Sequence, residues 1–279
     1  MRKKNSIIYT CIVSLCLAAV FVLPHKHLPK IDAGAGDGSV QAYYINLDKA
    51  EERREALLPL LEELGIPFER IPAIYGKDIP KDEKDKLVNR TIFKILMQQD
   101  VLDGEIGCYL SHLKTWTEFL KTKHSYALIF EDDVVFNPEQ LHKLVNLLLK
   151  NSDNWDCVNL DTHRPGNGRV IAQISGKYRL KAPSRRVWNA SCYIINRRAA
   201  RSLIKHALPI RMPLDHVLYR SWELSYKFRT VEPKIVKQRG DSTYIQHNRK
   251  KEIWYLYIPS HLFRITSQIM TIIMAYVRR

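Results

Sequence analysis

Apolar positions recur along this chain in two rhythms, every second residue and every third or fourth, broken by one long uncharged run near the start. That run, Ile7 to Leu23, follows the basic residues Arg2, Lys3 and Lys4. It is just long enough to cross a bilayer. No small-x-small cleavage signal directly follows it, so residues 1–24 are expected to form an uncleaved membrane anchor, a cleaved signal being the alternative. Residues 25–40 are rich in Pro, Gly and charge and read as a linker.

Residues 41–250 carry the regular patterning of a folded domain. "AYYINL" (42–47) predicts a short strand. Leu57, Leu60, Leu61 and Leu64 then share one helical stripe, which Gly65 closes. Asp48 and Glu51 have the spacing of a capping box, and Pro59 should kink or split the helix. "FERIPAI" predicts a second strand. Apolar residues at 106, 110, 113, 116 and 120 predict a long helix over "DGEIGCYLSHLKTWTEFLKTK". "YALIF" predicts a third strand, Asn137-Pro138 a capped helix start, "WDCVNLD" a fourth strand, and "CYIIN" a later strand followed by the helix "RRAARSLIKHAL". Strands alternating with helices predict an α/β domain with a mostly parallel sheet. In the tail, residues 251–279, Leu262, Ile265, Ile269, Ile272 or Ile273, and Tyr276 fall on one helical face. Polar interruptions make this a poor bilayer span. It reads equally as an interfacial helix or as a terminal helix packed on the domain.

Composition narrows the class. An apolar content of 46% in 279 residues suits a folded domain with a sizeable core. The five cysteines, Cys11, Cys16, Cys108, Cys157 and Cys192, show no C-x-x-C pair, which argues against a disulfide framework or a structural zinc site. The net charge of +15 is concentrated beside apolar segments, at Arg2, Lys3, Lys4, Lys26, Lys30 and again at Arg249, Lys250, Lys251, Arg264, Arg278 and Arg279. That placement suits a membrane surface better than nucleic acid, and no RNA-binding or zinc-finger signature is present.

Against this basic background, "YALIFEDDVVF" places Glu131, Asp132 and Asp133 at the end of the most strand-like segment. Adjacent carboxylates repel, and burying them is costly without a partner. In an open α/β sheet, ligands bind beyond the carboxyl ends of strands. Hard oxygen ligands there select Mg²⁺ or Mn²⁺. Strand alternation would put Glu131 and Asp133 on one side and Asp132 on the other. A phosphatase D-x-D-x-[TV] motif fits poorly, because Glu131 stands where the nucleophilic Asp is required.

Five segments in order, "YYINLDKAEERREALLPLLEELGIPFERIPAIYGKDI", "GEIGCYLSHLKTWTEF", "YALIFEDDVVF", "NASCYIINRRAARSLI" and "PLDHVL", together resemble glycosyltransferase family 25, the family of bacterial lipooligosaccharide and collagen galactosyltransferases. The resemblance runs from about residue 42 to about residue 246. It implies a single GT-A-like domain, a UDP-sugar donor, usually UDP-galactose, and an inverting transfer supported by Mn²⁺ or Mg²⁺. It implies metal contacts from Glu131 and Asp133, with Asp132 in the same donor motif. Asn46 and Asp48 would face the nucleotide, and Arg53 or Arg54 would reach the diphosphate. Glu105, Ser111 and His112 of "GEIGCYLSH" become candidate donor contacts, with Gly104 and Gly107 admitting a ligand to the backbone. Asp215 matches an acidic position of the family and is the first candidate for general base, Asp161 the second. His247 is a further metal candidate. The expected acceptor is an oligosaccharide or glycolipid, and no nucleic acid is expected. A membrane-associated enzyme with a single-pass N-terminal anchor follows, at a bacterial inner membrane by preference. The sequons at Asn89 and Asn189 leave a secretory lumen open. The alternatives are a catalytically idle protein of the same fold that binds carbohydrate, and a basic binder at a membrane surface.

Overall fold

The computed structural model describes residues 36–162, 168–240 and 257–276. The expected anchor at residues 1–24, most of the linker and His247 lie outside the described residues. Among the described residues no helix is long and apolar enough to cross a membrane.

Ten strands and nine α-helices make up the described chain. In order these are β1 (Val40–Asn46), α1 (Glu51–Leu64), β2 (Phe68–Pro72), α2 (Lys81–Leu87), α3 (Arg90–Met97), α4 (Asp103–Lys121), β3 (Tyr126–Glu131), β4 (Val134–Phe136) and α5 (Pro138–Lys150). They continue with β5 (Cys157–Asn159), β6 (Gly168–Gln173), β7 (Arg179–Pro183), β8 (Cys192–Asn196) and α6 (Arg197–His206). The last are α7 (Leu214–Tyr219), α8 (Ser221–Leu224), β9 (Phe228–Glu232), β10 (Val236–Gln238) and α9 (Tyr257–Tyr276).

Eight strands form one sheet in the order β2-β1-β3-β8-β5-β9-β7-β6. Parallel pairing joins β1 to β2 and β3, and β5 to β9. Strand β8 runs antiparallel between β3 and β5, and β7 antiparallel between β9 and β6. Only β7 and β8 are therefore reversed, and the other six strands of the sheet share one direction, in line with the mostly parallel sheet expected. Pleat alternation sends side chains to two cores. Tyr43, Ile45 and Ile129 meet Tyr109, Trp116 and Phe119 of α4 and Leu203 of α6 on one face. Ala42, Leu128 and Phe130 meet Leu57 and Leu61 of α1 and Leu141 and Leu144 of α5 on the other.

This layering creates the site. From β1 the chain crosses one face through α1 to reach β2, then returns over the opposite face through α4 to reach β3. Strands β2 and β3 thus flank β1, and the crossovers lie on opposite faces. The carboxyl ends of β1 and β3 form a crevice at this switch in strand order, where ligands of open α/β sheets bind. Ile45 pairs in register with Glu131, so both strands end there together.

Two local expectations change. Helix α1 begins after Ala50 without a side-chain cap. Asp48 instead reaches across to Arg70, 2.5 Å away. Pro59 lies inside α1 without splitting it. Its position on the exposed side leaves the freed Glu55 carbonyl to water, which limits the cost.

Candidate active site

Strand β3 delivers Glu131 to the crevice, and a tight turn through Asp132 and Asp133 follows before β4. The turn, rather than the pleat, sorts the three carboxylates, and each meets a different environment.

Asp132 is held from both sides. Its Oδ2 accepts from the Asn46 amide at 2.8 Å and its Oδ1 from Arg53 Nη1 at 3.1 Å. Burial nevertheless outweighs these donors and raises its pKa. Asn46 is fully buried at the end of β1. Its amide also donates to the Ala50 carbonyl, and its Oδ1 accepts from Arg70 Nε at 3.1 Å. Asn46 therefore braces Asp132 and is not among the residues lining the crevice, where a nucleotide contact was expected. Arg53 does line it. Arg54 turns away to Glu51 at 3.7 Å, and Asp48 is exposed beside Arg70. The helical period explains the split: successive residues differ by about 100°, so only one of two neighbouring arginines can face the crevice.

Glu131 meets helix α4. Its Oε1 lies 3.3 Å from His112 Nε2 and 3.5 Å from Cys108 Sγ. Burial pushes the carboxyl upward, but the His112 and Cys108 contacts bring it below its ordinary value. Cys108 moves the other way: burial and the adjacent Glu131 charge lift its thiol well above the usual range. The second imidazole nitrogen of His112 is 2.8 Å from the Tyr193 hydroxyl, which in turn accepts from Trp116 Nε1 at 2.8 Å. The two rings of His112 and Tyr193 stack at 5.7 Å. His112, on α4, is thus fixed by β8 and fixes Glu131 of β3.

Asp133 is the carboxylate with spare capacity. Its Oδ1 is buried with no hydrogen-bond partner. Burial, followed by the Glu131 charge, raises it to about 7. A buried, unpaired carboxylate oxygen beside a second carboxylate is an arrangement a hard divalent cation relieves. Asp133 and Glu131 fit such an ion. Asp132 does not, because both its oxygens are already engaged. Cys108, His112 and Glu131 also bring one ligand atom each within 4.8 Å of one another, a softer set that would suit zinc. Those three atoms already satisfy each other by hydrogen bonds.

Two cavities open on this cluster. The smaller, about 130 Å³, is lined by Leu47, Arg53, Tyr75, Ser111, Asp132 and others. The larger, about 610 Å³, is lined by Glu105, Trp188, Asn189, Asp215, His216, Arg264 and others. Cys108, Glu131 and Asp133 line both. Ser111 accepts from the Ile74 amide at 2.8 Å and donates to the Gly107 carbonyl at 2.6 Å, so it pins the 73–76 loop onto α4. A Cβ on Gly107 would come within 2.4 Å of the Ile74 carbonyl. That glycine therefore admits the loop backbone, where a ligand was expected. Glu105 Oε2 accepts from the Leu102 amide at 2.8 Å, closing the first turn of α4 at the rim of the larger cavity.

Asp215, in the first turn of α7, lines the larger cavity, and its Oδ1 accepts from the His216 amide at 2.8 Å. Asp161, the second candidate base, lies elsewhere. It is fully buried, bonded by Asn189 and Ser191 and ion-paired with Lys234, and it lines neither cavity. The chain continues past β5 before Asp161, which carries it under the neighbouring loop.

A family model described as "Glycosyltransferase family 25 (LPS biosynthesis protein)" matches residues 40–218. The chain belongs to glycosyltransferase family 25. The match covers β1 through α7, and so both cavities' main walls, including Asp215. Procollagen galactosyltransferase 1-A of Xenopus laevis is 26% identical over 243 residues, covering 77% of this chain and 39% of the relative. A glycosyltransferase 25 family member of Drosophila melanogaster is 30% identical over 142 residues, 48% of this chain and 23% of the relative. This family 25 chain thus spans well under half the length of these curated relatives. Among solved structures, S. aureus TarS 1-349 in complex with UDP-GlcNAc is 11% identical with a TM-score of 0.41, covering 86% of this chain and 68% of that one.

Sequence reading of this family 25 domain missed Cys108, Tyr193, Trp188 and His216 as site residues. Cys108 stands one helical turn before His112, which was the available signal. Tyr193 sits inside an apolar strand and reads as core. Trp188 is 41% exposed at the larger cavity, in an edge-to-face contact with His216 at 5.6 Å and beside the Arg186 guanidinium at 5.3 Å. It stands in the irregular segment between β7 and β8, where periodicity carries no information.

Proposed function

We propose that this family 25 domain transfers a hexose, galactose by preference, from a UDP-sugar to an oligosaccharide acceptor of a glycoconjugate such as a lipooligosaccharide, with inversion and with support from Mn²⁺ or Mg²⁺. The observation that carries this reading is the junction of two cavities at Glu131 and Asp133. A crevice at the strand switch, lined by Arg53, and a wider, aromatic-edged cavity meet at one carboxylate pair. That is the layout a two-substrate transfer requires.

In this reading the smaller cavity takes the nucleotide diphosphate. Arg53 presents guanidinium to it from the wall it shares with Asp132. Asp133 and Glu131 would hold the cation, whose chemistry is Lewis-acid stabilisation of the leaving diphosphate. His112 and Cys108 hold Glu131 at one oxygen. The acceptor sugar enters the larger cavity, where Trp188 offers an aromatic face for stacking. Asp215 takes the proton of the acceptor hydroxyl as its oxygen attacks the sugar's anomeric carbon. The bond from that carbon to the diphosphate oxygen breaks, and UDP leaves. The names of the collagen galactosyltransferase relatives favour galactose.

The test is UDP release from a panel of UDP-sugars by the full chain, with Mn²⁺ or with EDTA, alongside Asp133→Asn. Metal-dependent release from one sugar, lost in the variant, supports the reading and identifies the donor. No release and no metal-dependent UDP binding by calorimetry would leave the idle alternative, a possibility also raised by the bovine relative described as a probable inactive family 25 member, 26% identical over 198 residues.

A further inference from the structure

Helix α9 packs on the domain with the face opposite to the one its hydropathy predicts. The buried positions are Ser260, Phe263, Ser267, Thr271 and Ala275, with Pro259, so the inward surface is mostly small and hydroxylated. The outward positions are Ile258, Leu262, Ile265, Ile269, Ile272 and Ile273, capped at the two ends by Tyr257 and Tyr276. Ile265 and Ile269, at the centre, are 54% and 51% exposed. Contiguous exposed aliphatic surface of this kind marks an interaction site.

The helix is not waiting to turn this face inward. The buried Arg220 guanidinium bonds Ser267. Gln268 donates to the Ser184 carbonyl at 2.5 Å, and Arg264 donates to Gln98 at 3.3 Å. Phe263 anchors the helix against Ile92, Leu96 and Met212. The hydroxyls of Ser267 and Thr271 bond carbonyls of α9 itself, one turn back, so the inward polar face is satisfied against protein. The orientation is built in, and the apolar face is left for something outside the described domain.

We infer that this face of α9 seats on an anionic lipid surface. Three observations select that occupant. The twenty-residue helix contains no Asp or Glu, and the chain brackets it with Arg249, Lys250 and Lys251 before and Arg278 and Arg279 after. Basic flanks around an aliphatic face match acidic headgroups. Tyrosines at both ends of an aliphatic stripe suit the headgroup boundary, where an aromatic ring has one apolar and one wet side. Finally, the apolar residues occupy only the outward face while the opposite face is packed on the domain, so the helix can offer lipid one side and not a span. Arg264 of α9 also lines the larger cavity. Resting on the transfer reading above, seating α9 on lipid would bring that cavity to the surface and so favour an acceptor carried on a lipid.

The apolar run Ile7 to Leu23 is a second lipid-seeking segment of the same chain, so the readout must be local to α9. Hydrogen exchange of peptides within 257–276 would be followed in the full chain, with no lipid, with phosphatidylcholine vesicles, and with vesicles containing phosphatidylglycerol. The expected result is about tenfold slower exchange on the anionic vesicles only, lost in the double variant Ile265→Gln, Ile269→Gln. Both positions are exposed, so the variant should keep its wild-type melting temperature. Unchanged exchange on anionic vesicles overturns the proposal. So does equal protection on neutral lipid, and so does protection without lipid that rises with protein concentration, which would make the occupant a second copy. None of these outcomes depends on sugar transfer, so failure here leaves the transferase reading standing, and failure of the UDP assay leaves this one.

Discussion

The imidazole Nε2 of His112 lies 3.3 Å from Glu131 Oε1, while its other nitrogen is 2.8 Å from the Tyr193 hydroxyl. One buried ring thus links helix α4, strand β3 and the reversed strand β8 beside it. A side chain that orients a ligating carboxylate is worth about 10–100-fold in affinity or activity. His112→Ala should therefore lower metal-supported UDP binding by roughly that factor, read by calorimetry. His112→Asn retains a donor and should recover part of the loss. Equal binding by wild type and His112→Ala would mean that Glu131 needs no such support.

Asp133 makes stability depend on pH with a defined sign. Burial and the Glu131 charge raise its carboxyl to about 7 in the fold against an ordinary 3.8. The folded chain therefore holds the proton more tightly than the unfolded chain, and the fold loses stability as pH rises between those values. Asp133→Asn should leave the melting temperature unchanged at the acid end of this window. Above it the variant should melt higher than wild type, by roughly 5 °C. Added Mn²⁺ should stabilise the wild type at alkaline pH and not the variant. Identical pH profiles for the two proteins would refute the buried, unpaired state of Asp133.

Adjacent arginines should behave differently. Arg53→Ala removes a guanidinium from the crevice and a donor from Asp132, and should weaken UDP binding by at least about tenfold, on the order of one charge-assisted hydrogen bond. Arg54 pairs with Glu51 on the solvent side. Arg54→Ala should change neither UDP binding nor, beyond about 0.5 kcal/mol, stability. Equal losses in the two variants would show that the helix presents both residues to the diphosphate.

The two candidate bases also separate by experiment. Asp215→Asn should fold normally and lose about 10²–10⁴-fold in turnover, the range for removing a general base. Asp161→Asn removes the charge that balances Lys234 in a buried setting and should cost about 3 kcal/mol of stability. Its residual folded fraction should still turn over. Denaturant unfolding beside steady-state rates distinguishes these outcomes, and the reverse pattern would exchange their roles.

Much of this site could be read from the chain. An apolar strand ending in Glu131, Asp132 and Asp133, and helices announced by Leu57, Leu61 and Leu64 or by Asn137-Pro138, follow from local periodicity and capping, which depend on neighbours a few residues away. Those same rules cannot see what lies across the sheet. Asn46 and Asp48 both looked like ligand contacts, yet one is buried as a brace for Asp132 and the other is exposed beside Arg70, because the ends of three strands converge there. Asp161 looked like a second acid at a strand end until folding covered it.

What the sequence determined by itself is therefore the alternation of strands and helices, the acidic edge, the family and the apolar stripe of α9. Tertiary structure decided the rest: the reversal of β8, which places Tyr193 behind His112; the sharing of Cys108, Glu131 and Asp133 by two cavities; the role of Gly107 in admitting a loop; and the outward turn of α9. The reason is physical. Periodicity records which residues avoid water somewhere, but contact partners separated by tens of residues are chosen only when the whole sheet closes and each buried polar atom must find its donor or acceptor.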